Sequence, residues 1–133
     1  MLCLRPAAAS HARRLLSTGS ARVRRSSLYM PGSNSRALAK ARIVPADVII
    51  MDLEDAVAPS AKADARAAVA AALREREAYG DREIVVRVNH GSTPWSVDDV
   101  LMICQAEPRF FPDAVVLPKV QEDTAHHLGH STG

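Results

Sequence analysis

The sequence predicts an α/β protein built on a parallel sheet. Three observations carry that expectation. Four short apolar segments recur along the chain, each followed by helix-like or loop sequence. No hairpin signal joins them, so helices must make the crossovers. The run Val48-Ile49-Ile50-Met51 has no polar alternation, the pattern of a strand covered on both faces. The 133 residues suit one domain, and 47% apolar content allows a packed core.

The first strand is expected at residues 27–30 and is ended by Pro31-Gly32. Ser33 then suits a helix N-cap, with Ala37, Leu38 and Ala41 as the buried stripe. The second strand covers residues 48–51. Pro59-Ser60 opens the longest helix, residues 61–77, which is rich in Ala and other strong helix formers. Val69 and Leu73 lie among the alanines of its apolar side; Arg66, Arg74, Glu75 and Arg76 fall on the wetter side. Gly80 is placed to end it. The third strand is expected at residues 84–89. Thr93-Pro94 reads as an N-cap and first helical position, and Asp98 and Asp99 fall early, where the helix dipole favours acid. The fourth strand covers residues 114–117, closed by Pro118-Lys119.

Charge is distributed unevenly. The net charge is +2, yet residues 1–46 carry nine Lys and Arg and no acid, and all 15 acids follow. Without the first 25 residues the remainder is mildly acidic, so the basic balance is no nucleic-acid footprint. Those 25 residues are rich in Arg, Ala, Ser and Leu and have no continuous apolar core. A helix through residues 4–16 would set Arg13 and Arg14 beside an apolar surface. This is the composition of an organelle-import presequence, with the mitochondrion favoured and the plastid or cytoplasm as alternatives. The expected division is therefore a leader over residues 1–25 and a folded unit over residues 26–133. Cys3 and Cys104 support no disulfide framework, and no apolar run is long enough to span a membrane.

Parallel α/β folds place their sites at the carboxyl ends of the strands. Three consecutive strands end there in charge: Asp52-Leu53-Glu54-Asp55, Arg87-Val88-Asn89 and Lys119. Period-two geometry puts Asp52 with Glu54, and Arg87 with Asn89, on one face. An Arg flanked by Val86 and Val88 needs an anionic partner. That partner is either Asp52 or Glu54 in a structural ion pair, or a substrate carboxylate or enolate oxygen. Pro31-Gly32-Ser33-Asn34 is either an ordinary cap or a cradle for a phosphate. His126, His127 and His130 lie in a terminal tail without a further ligand and make a weak metal signal.

Five segments in order give a resemblance. Leu28-Tyr29-Met30-Pro31-Gly32-Ser33-Asn34, Asp52-Leu53-Glu54-Asp55-Ala56-Val57-Ala58, Lys62 with Ala65-Arg66, Val86-Arg87-Val88-Asn89, and Leu117-Pro118-Lys119-Val120 resemble the citrate lyase β-subunit-like branch of the HpcH/HpaI aldolase family. The likeness covers about residues 26–120 and fades after Gln121, where that family usually has Glu. It implies a TIM (β/α)8 barrel, of which this chain holds about the first four βα units. It further implies a magnesium-assisted carbon–carbon lyase, oligomeric in complete form. The substrate would be a hydroxyacyl-CoA (citryl-, malyl- or citramalyl-CoA) cleaved to an acyl-CoA and an α-oxo acid. Carried over, Arg87 contacts substrate and steadies developing enolate charge; Ser33, Asn89 and Lys119 help to bind substrate; Asp52, Glu54 and Asp55 support the metal site from behind. The resemblance puts the principal Mg2+ carboxylates beyond residue 133, so no metal ligand is expected in this chain. An alternative is a non-catalytic fragment that pairs with itself or with a full-length relative.

Overall fold

The computed structural model describes residues 22–121. The elements are β1 (Ser27–Pro31), α1 (Ser35–Lys40), β2 (Val48–Asp52), α2 (Lys62–Arg74), β3 (Glu83–Arg87), α3 (Ser96–Cys104) and β4 (Ala114–Val116). Short 3₁₀ turns lie at Pro59–Ala61, Arg76–Tyr79 and Pro108–Phe110. The four strands form one parallel sheet in the order of the chain. Unreversed order is how a (β/α)8 barrel begins, whereas a doubly wound sheet reverses at a switch point. The register aligns the strand ends: Pro31 stands beside Asp52, Asp52 beside Arg87, and Arg87 beside Val116. The charged segments that follow the strands therefore emerge at one rim.

The main core lies between one face of the sheet and the helices. Met30, Ile49, Met51, Ile84, Val86 and Val88 pack there with Leu38, Val69, Leu73 and Tyr79. On the other face Val48, Ile50 and Val85 are buried, with Val116 packed against them. Both faces of β2 are thus covered, as its unbroken apolar run required. Gly32 has a packing reason: a Cβ there would lie 2.8 Å from the Asp52 carbonyl oxygen and 2.9 Å from Val69 Cγ2. Its absence lets the end of β1 close against the end of β2, where the Gly32 N–H donates to Asp52 O at 2.8 Å.

Several local expectations shift, each for a polar reason. The N-cap of α1 is Asn34, not Ser33: the Asn34 side chain accepts the Ala37 N–H at 3.0 Å. Thr93 does not cap α3; its hydroxyl donates to the His90 carbonyl at 2.7 Å in the turn ahead of the helix. Helix α2 stops at Arg74, and the 3₁₀ turn runs on to Tyr79 before Gly80, at φ 62°, reverses the chain. Arg76 is buried rather than wet, because it reaches the Arg82 carbonyl (2.8 Å) and Asp113 (2.7 Å). Strand β3 ends at Arg87, two residues early, because the Asn89 amide leaves the sheet direction for the Asp99 carboxylate.

The opposite rim is also charged. Asp47 precedes β2, Glu83 opens β3 and Asp113 precedes β4. Each meets an arginine from residues 22–25, which the composition had assigned to the leader. Arg24 grips Glu83 with Nε and Nη2 at 2.6 and 2.9 Å. Arg25 grips Asp47 with its side chain and its backbone N–H, and Arg22 lies 3.4 Å from Asp113. The folded part thus reaches back to Arg22. Residues 1–21 and 122–133, on which the rest of the expected leader and the three tail histidines fall, lie outside the described residues.

The Arg25 hydrogen bonds hold the Asp47 carboxyl at about 2, below its ordinary 3.8. A carboxyl depressed by folding stabilises the native state above its unfolded pKa and loses that effect as pH falls through the folded one. The stability gap between the wild type and Asp47→Asn should therefore be nearly full above about pH 4, shrink as pH falls, and be lost below about pH 2. Thermal midpoints of the two chains across that range check it, and a gap independent of pH would refute it.

Candidate active site

The rim at the carboxyl ends of the strands is organised by Asp52, which is fully buried. Its Oδ1 accepts Arg87 Nε (2.8 Å) and the Glu54 N–H (2.9 Å). Its Oδ2 accepts Arg87 Nη2 (2.8 Å) and the Ala56 N–H (2.9 Å). Burial alone would raise the Asp52 pKa, but the Arg87 fork and the two amides together outweigh it and the pKa is lowered. The same hydrogen bonds raise the Arg87 pKa, so the pair is ionised. The two amides also bend the chain after β2 into a tight loop, which carries Glu54 and Asp55 toward the guanidinium. The third arm of Arg87, Nη1, lies 3.2 Å from Glu54 Oε2 and 3.7 Å from Asp55 Oδ2. The Glu54 oxygen is buried there without a well-aligned hydrogen bond. The flat face of the guanidinium stacks on the Tyr29 ring, 4.8 Å from its centroid.

Lys119 completes the cluster from beyond β4. Its Nζ lies 2.8 Å from Glu54 Oε1 and 3.1 Å from Asp55 Oδ1, and these contacts raise its pKa. The backbone of Lys119 is left-handed, φ 51°, a conformation that costs a non-glycine residue about 1–2 kcal/mol. The ammonium is the most exposed cation of the cluster.

Of the residues expected at the site, Asp52, Glu54, Asp55, Arg87 and Lys119 come together. Asn89 does not share the Arg87 face. With the strand ended, its backbone N–H and its Nδ2 both donate to Asp99 Oδ2, at 2.9 and 2.6 Å. Ser33 is exposed just past the end of β1, and none of the contacts that knit the cluster uses it. For Arg87 the two sequence alternatives resolve toward the ion pair at Nε and Nη2; only Nη1 faces Glu54 and Asp55.

Sequence reasoning gave no site role to Tyr29, Lys62, Arg66, Trp95 or Asp99. Lys62 is buried at the start of α2 and donates to the carbonyls of Leu53 and Glu54, both at 2.7 Å, while lying 5.2 Å from the Trp95 ring centroid. Burial lowers its pKa, opposed by the acids around it. Arg66, one turn further along α2, donates to Asp99 Oδ1 at 2.9 Å. The four-residue spacing of Lys62 and Arg66 was the available signal for a shared helix face. Nothing in the spacing of Asn89 and Asp99 announces their contact.

The carboxylates do not make a metal site by themselves. Both Asp52 oxygens are committed to Arg87 and backbone amides, and Glu54 and Asp55 face Lys119 and Arg87. Among the described residues no group of three or more His, Cys, Asp or Glu is placed to hold a metal ion. A divalent ion would need ligands in addition to these.

The unreversed parallel strands and the ionic cluster at their carboxyl rim define the opening part of a (β/α)8 barrel. The chain belongs to the HpcH/HpaI aldolase/citrate lyase family, whose sequence pattern matches residues 25–128 and so extends past Val120, where the motif reading had lost it. It is 47% identical over 96 residues to a (3S)-malyl-CoA thioesterase of Cereibacter sphaeroides strain ATCC 17029, a match over 72% of this chain and 32% of the relative. It is 41% identical over 107 residues to citrate lyase subunit beta of Escherichia coli K12, over 80% of this chain and 33% of the relative. Among solved structures it is similar to protein CitE from Mycobacterium tuberculosis in complex with magnesium and pyruvate: 28% identity, TM-score 0.59, 82% of this chain and 42% of that one. The chain spans about a third of the length of the curated relatives it matches.

The geometry separates a buried pair from a surface one. Asp52→Ala would take the two-pronged partner from the largely buried Arg87, leaving only Glu54 and Asp55 near Nη1, and should destabilise the chain by up to roughly 3–5 kcal/mol. Asp55→Ala, at an exposed carboxylate, should change stability by less than about 1 kcal/mol. Urea denaturation of both variants measures the difference, and comparable effects would show that Asp52 does not organise the rim.

Proposed function

We propose that this chain forms the opening βα units of a carbon–carbon lyase that splits a hydroxyacyl-CoA, such as citryl-, malyl- or citramalyl-CoA, into an acyl-CoA and an α-oxo acid. The observation that carries the reading is Arg87, locked by Asp52 so that Nη1 faces the barrel rim beside the exposed Lys119 ammonium. Glu54 bridges the two cations. A substrate carboxylate has the right charge to take Lys119 from Glu54 and Asp55. In such a cleavage a base takes the hydroxyl proton, and the carbon–carbon bond breaks to release the α-oxo acid. The electron pair left as an enolate on the thioester carbonyl takes up a proton to give the acyl-CoA; no side chain described in this chain is assigned as that base. Fixed positive charge at Nη1 stabilises the developing negative charge of the enolate without reorganisation during the reaction. Magnesium accompanies the solved CitE relative; an ion at this rim would need ligands beyond Asp52, Glu54 and Asp55.

The likeness to a relative named as a thioesterase favours a second reading, in which water cleaves the same thioester. The two reactions differ in product: hydrolysis releases free CoA thiol, whereas the lyase retains the thioester and releases an oxo acid. The complete form is proposed to be oligomeric, and the leader composition supports import into the mitochondrion.

The purified 133-residue chain, which spans about a third of the length of the relatives it matches, should turn over neither malyl-CoA nor citramalyl-CoA. In a barrel-length protein carrying this chain, Arg87→Ala should lower kcat by roughly 100–1000-fold. Assays for thiol and for oxo acid on that protein decide between lyase and thioesterase. Unchanged kcat in the variant would remove Arg87 from the chemistry.

A further inference from the structure

We propose that the leader is cut upstream of Arg22, so that Arg22, Arg24 and Arg25 remain on the mature chain as an arm of the folded barrel. The proposal rests on the import reading above, since an unimported chain has no leader to lose. Import presequences are recognised by Arg-rich, acid-poor composition, and by that measure residues 1–25 are continuous. The structure divides them. Three successive strands begin at an acid, and all three acids are met by arginines from one four-residue stretch.

These contacts differ from loose surface pairing. Glu83 is buried, and Arg24 binds both its oxygens through a planar fork. A cut at Ser26 would strand that carboxylate without this partner, and a buried unpaired charge is strongly destabilising. At Asp47 the arm is bound through the backbone as well. The N–H groups of Arg25 and Ser26 donate to Asp47 Oδ2 at 2.9 and 3.3 Å, and the Asp47 N–H donates to Ser26 Oγ at 3.1 Å. The Val48 N–H then bonds the Ser26 carbonyl at 3.0 Å and begins the β1–β2 ladder. The arm is therefore continuous in hydrogen bonding with the first strand. Independently, the family pattern already matches at Arg25. A leader can be discarded without harm only where the fold does not use it.

Two measurements test this. In the full 133-residue chain, Arg24→Ala with Arg25→Ala should lower the thermal midpoint by about 5 °C or more. Arg13→Ala with Arg14→Ala, equal in charge removed, should leave it unchanged. If the first double variant does not fold, Arg25→Ala alone gives the same comparison at the more exposed pair. Equal effects of the arm and leader pairs would overturn the proposal. Second, mass spectrometry of the chain recovered from organelles of a cell that imports it should find an N-terminus upstream of or at Arg22. An N-terminus at Val23 or later, or an uncut chain inside the organelle, would overturn it. A chain found only outside the organelle with Met1 in place overturns the import reading and the cut together, while the stability comparison still decides whether the arm belongs to the fold.

Discussion

Two opposite charges buried side by side at the ends of adjacent strands set the architecture of this rim. Asp52 and Arg87 are register partners, so β2 and β3 must stay aligned for the pair to form. Taking both ions out of water is costly, and only full satisfaction of their hydrogen bonds makes it tolerable. Asp52 achieves that by accepting the Glu54 and Ala56 amides in addition to the guanidinium. The loop after β2 owes its shape to this requirement. Lys62 then holds the same loop from the other side, through the carbonyls of Leu53 and Glu54. The carboxylate gathers the amides and the ammonium gathers the carbonyls, which leaves the loop little freedom.

The two rims of the sheet use charge in different ways. At the amino ends the acids belong to the strands and the arginines to an arm laid across them. At the carboxyl ends the cluster is assembled from the ends of three strands, and its outer members, Asp55 and Lys119, are exposed. The first arrangement fastens the chain; the second leaves the Lys119 ammonium at its exposed edge. This is the usual division in (β/α)8 barrels, where the carboxyl face carries chemistry and the amino face carries stability. Between the rims the contacts are apolar, and Gly32 lets β1 approach β2 closely enough to bring Tyr29 under the Arg87 guanidinium.

A second polar link ties the helices to the site. The buried Asp99 side chain binds Asn89 with one oxygen and Arg66 with the other. It ends β3, fixes the start of α3 and joins α3 to α2. An acid near a helix N-terminus is already favoured by the helix dipole, and here that preference is combined with the needs of a strand end. With Lys62 and Arg66 both on α2, one helix supports the loop after β2 and the turn after β3 together.

Sequence alone determined the strands, their parallel arrangement and the kinds of charge at their carboxyl ends, because backbone periodicity and apolar runs are local properties. It also supplied the motifs that mark the family. Register and partner choice were decided only in three dimensions. Whether Arg87 met a carboxylate of its own chain depended on Asp52 standing opposite it, 35 residues away in sequence. That Asn89 would turn away from Arg87 depended on Asp99 reaching the strand end from α3. That Arg76 would be buried depended on Asp113 standing ahead of β4. Composition likewise joined residues 22–25 to the leader, since an arginine in a targeting segment and one in an ion pair are the same letter. Charge is visible in a sequence, but the partner that neutralises it is fixed by packing, and here packing assigned the arm to the fold.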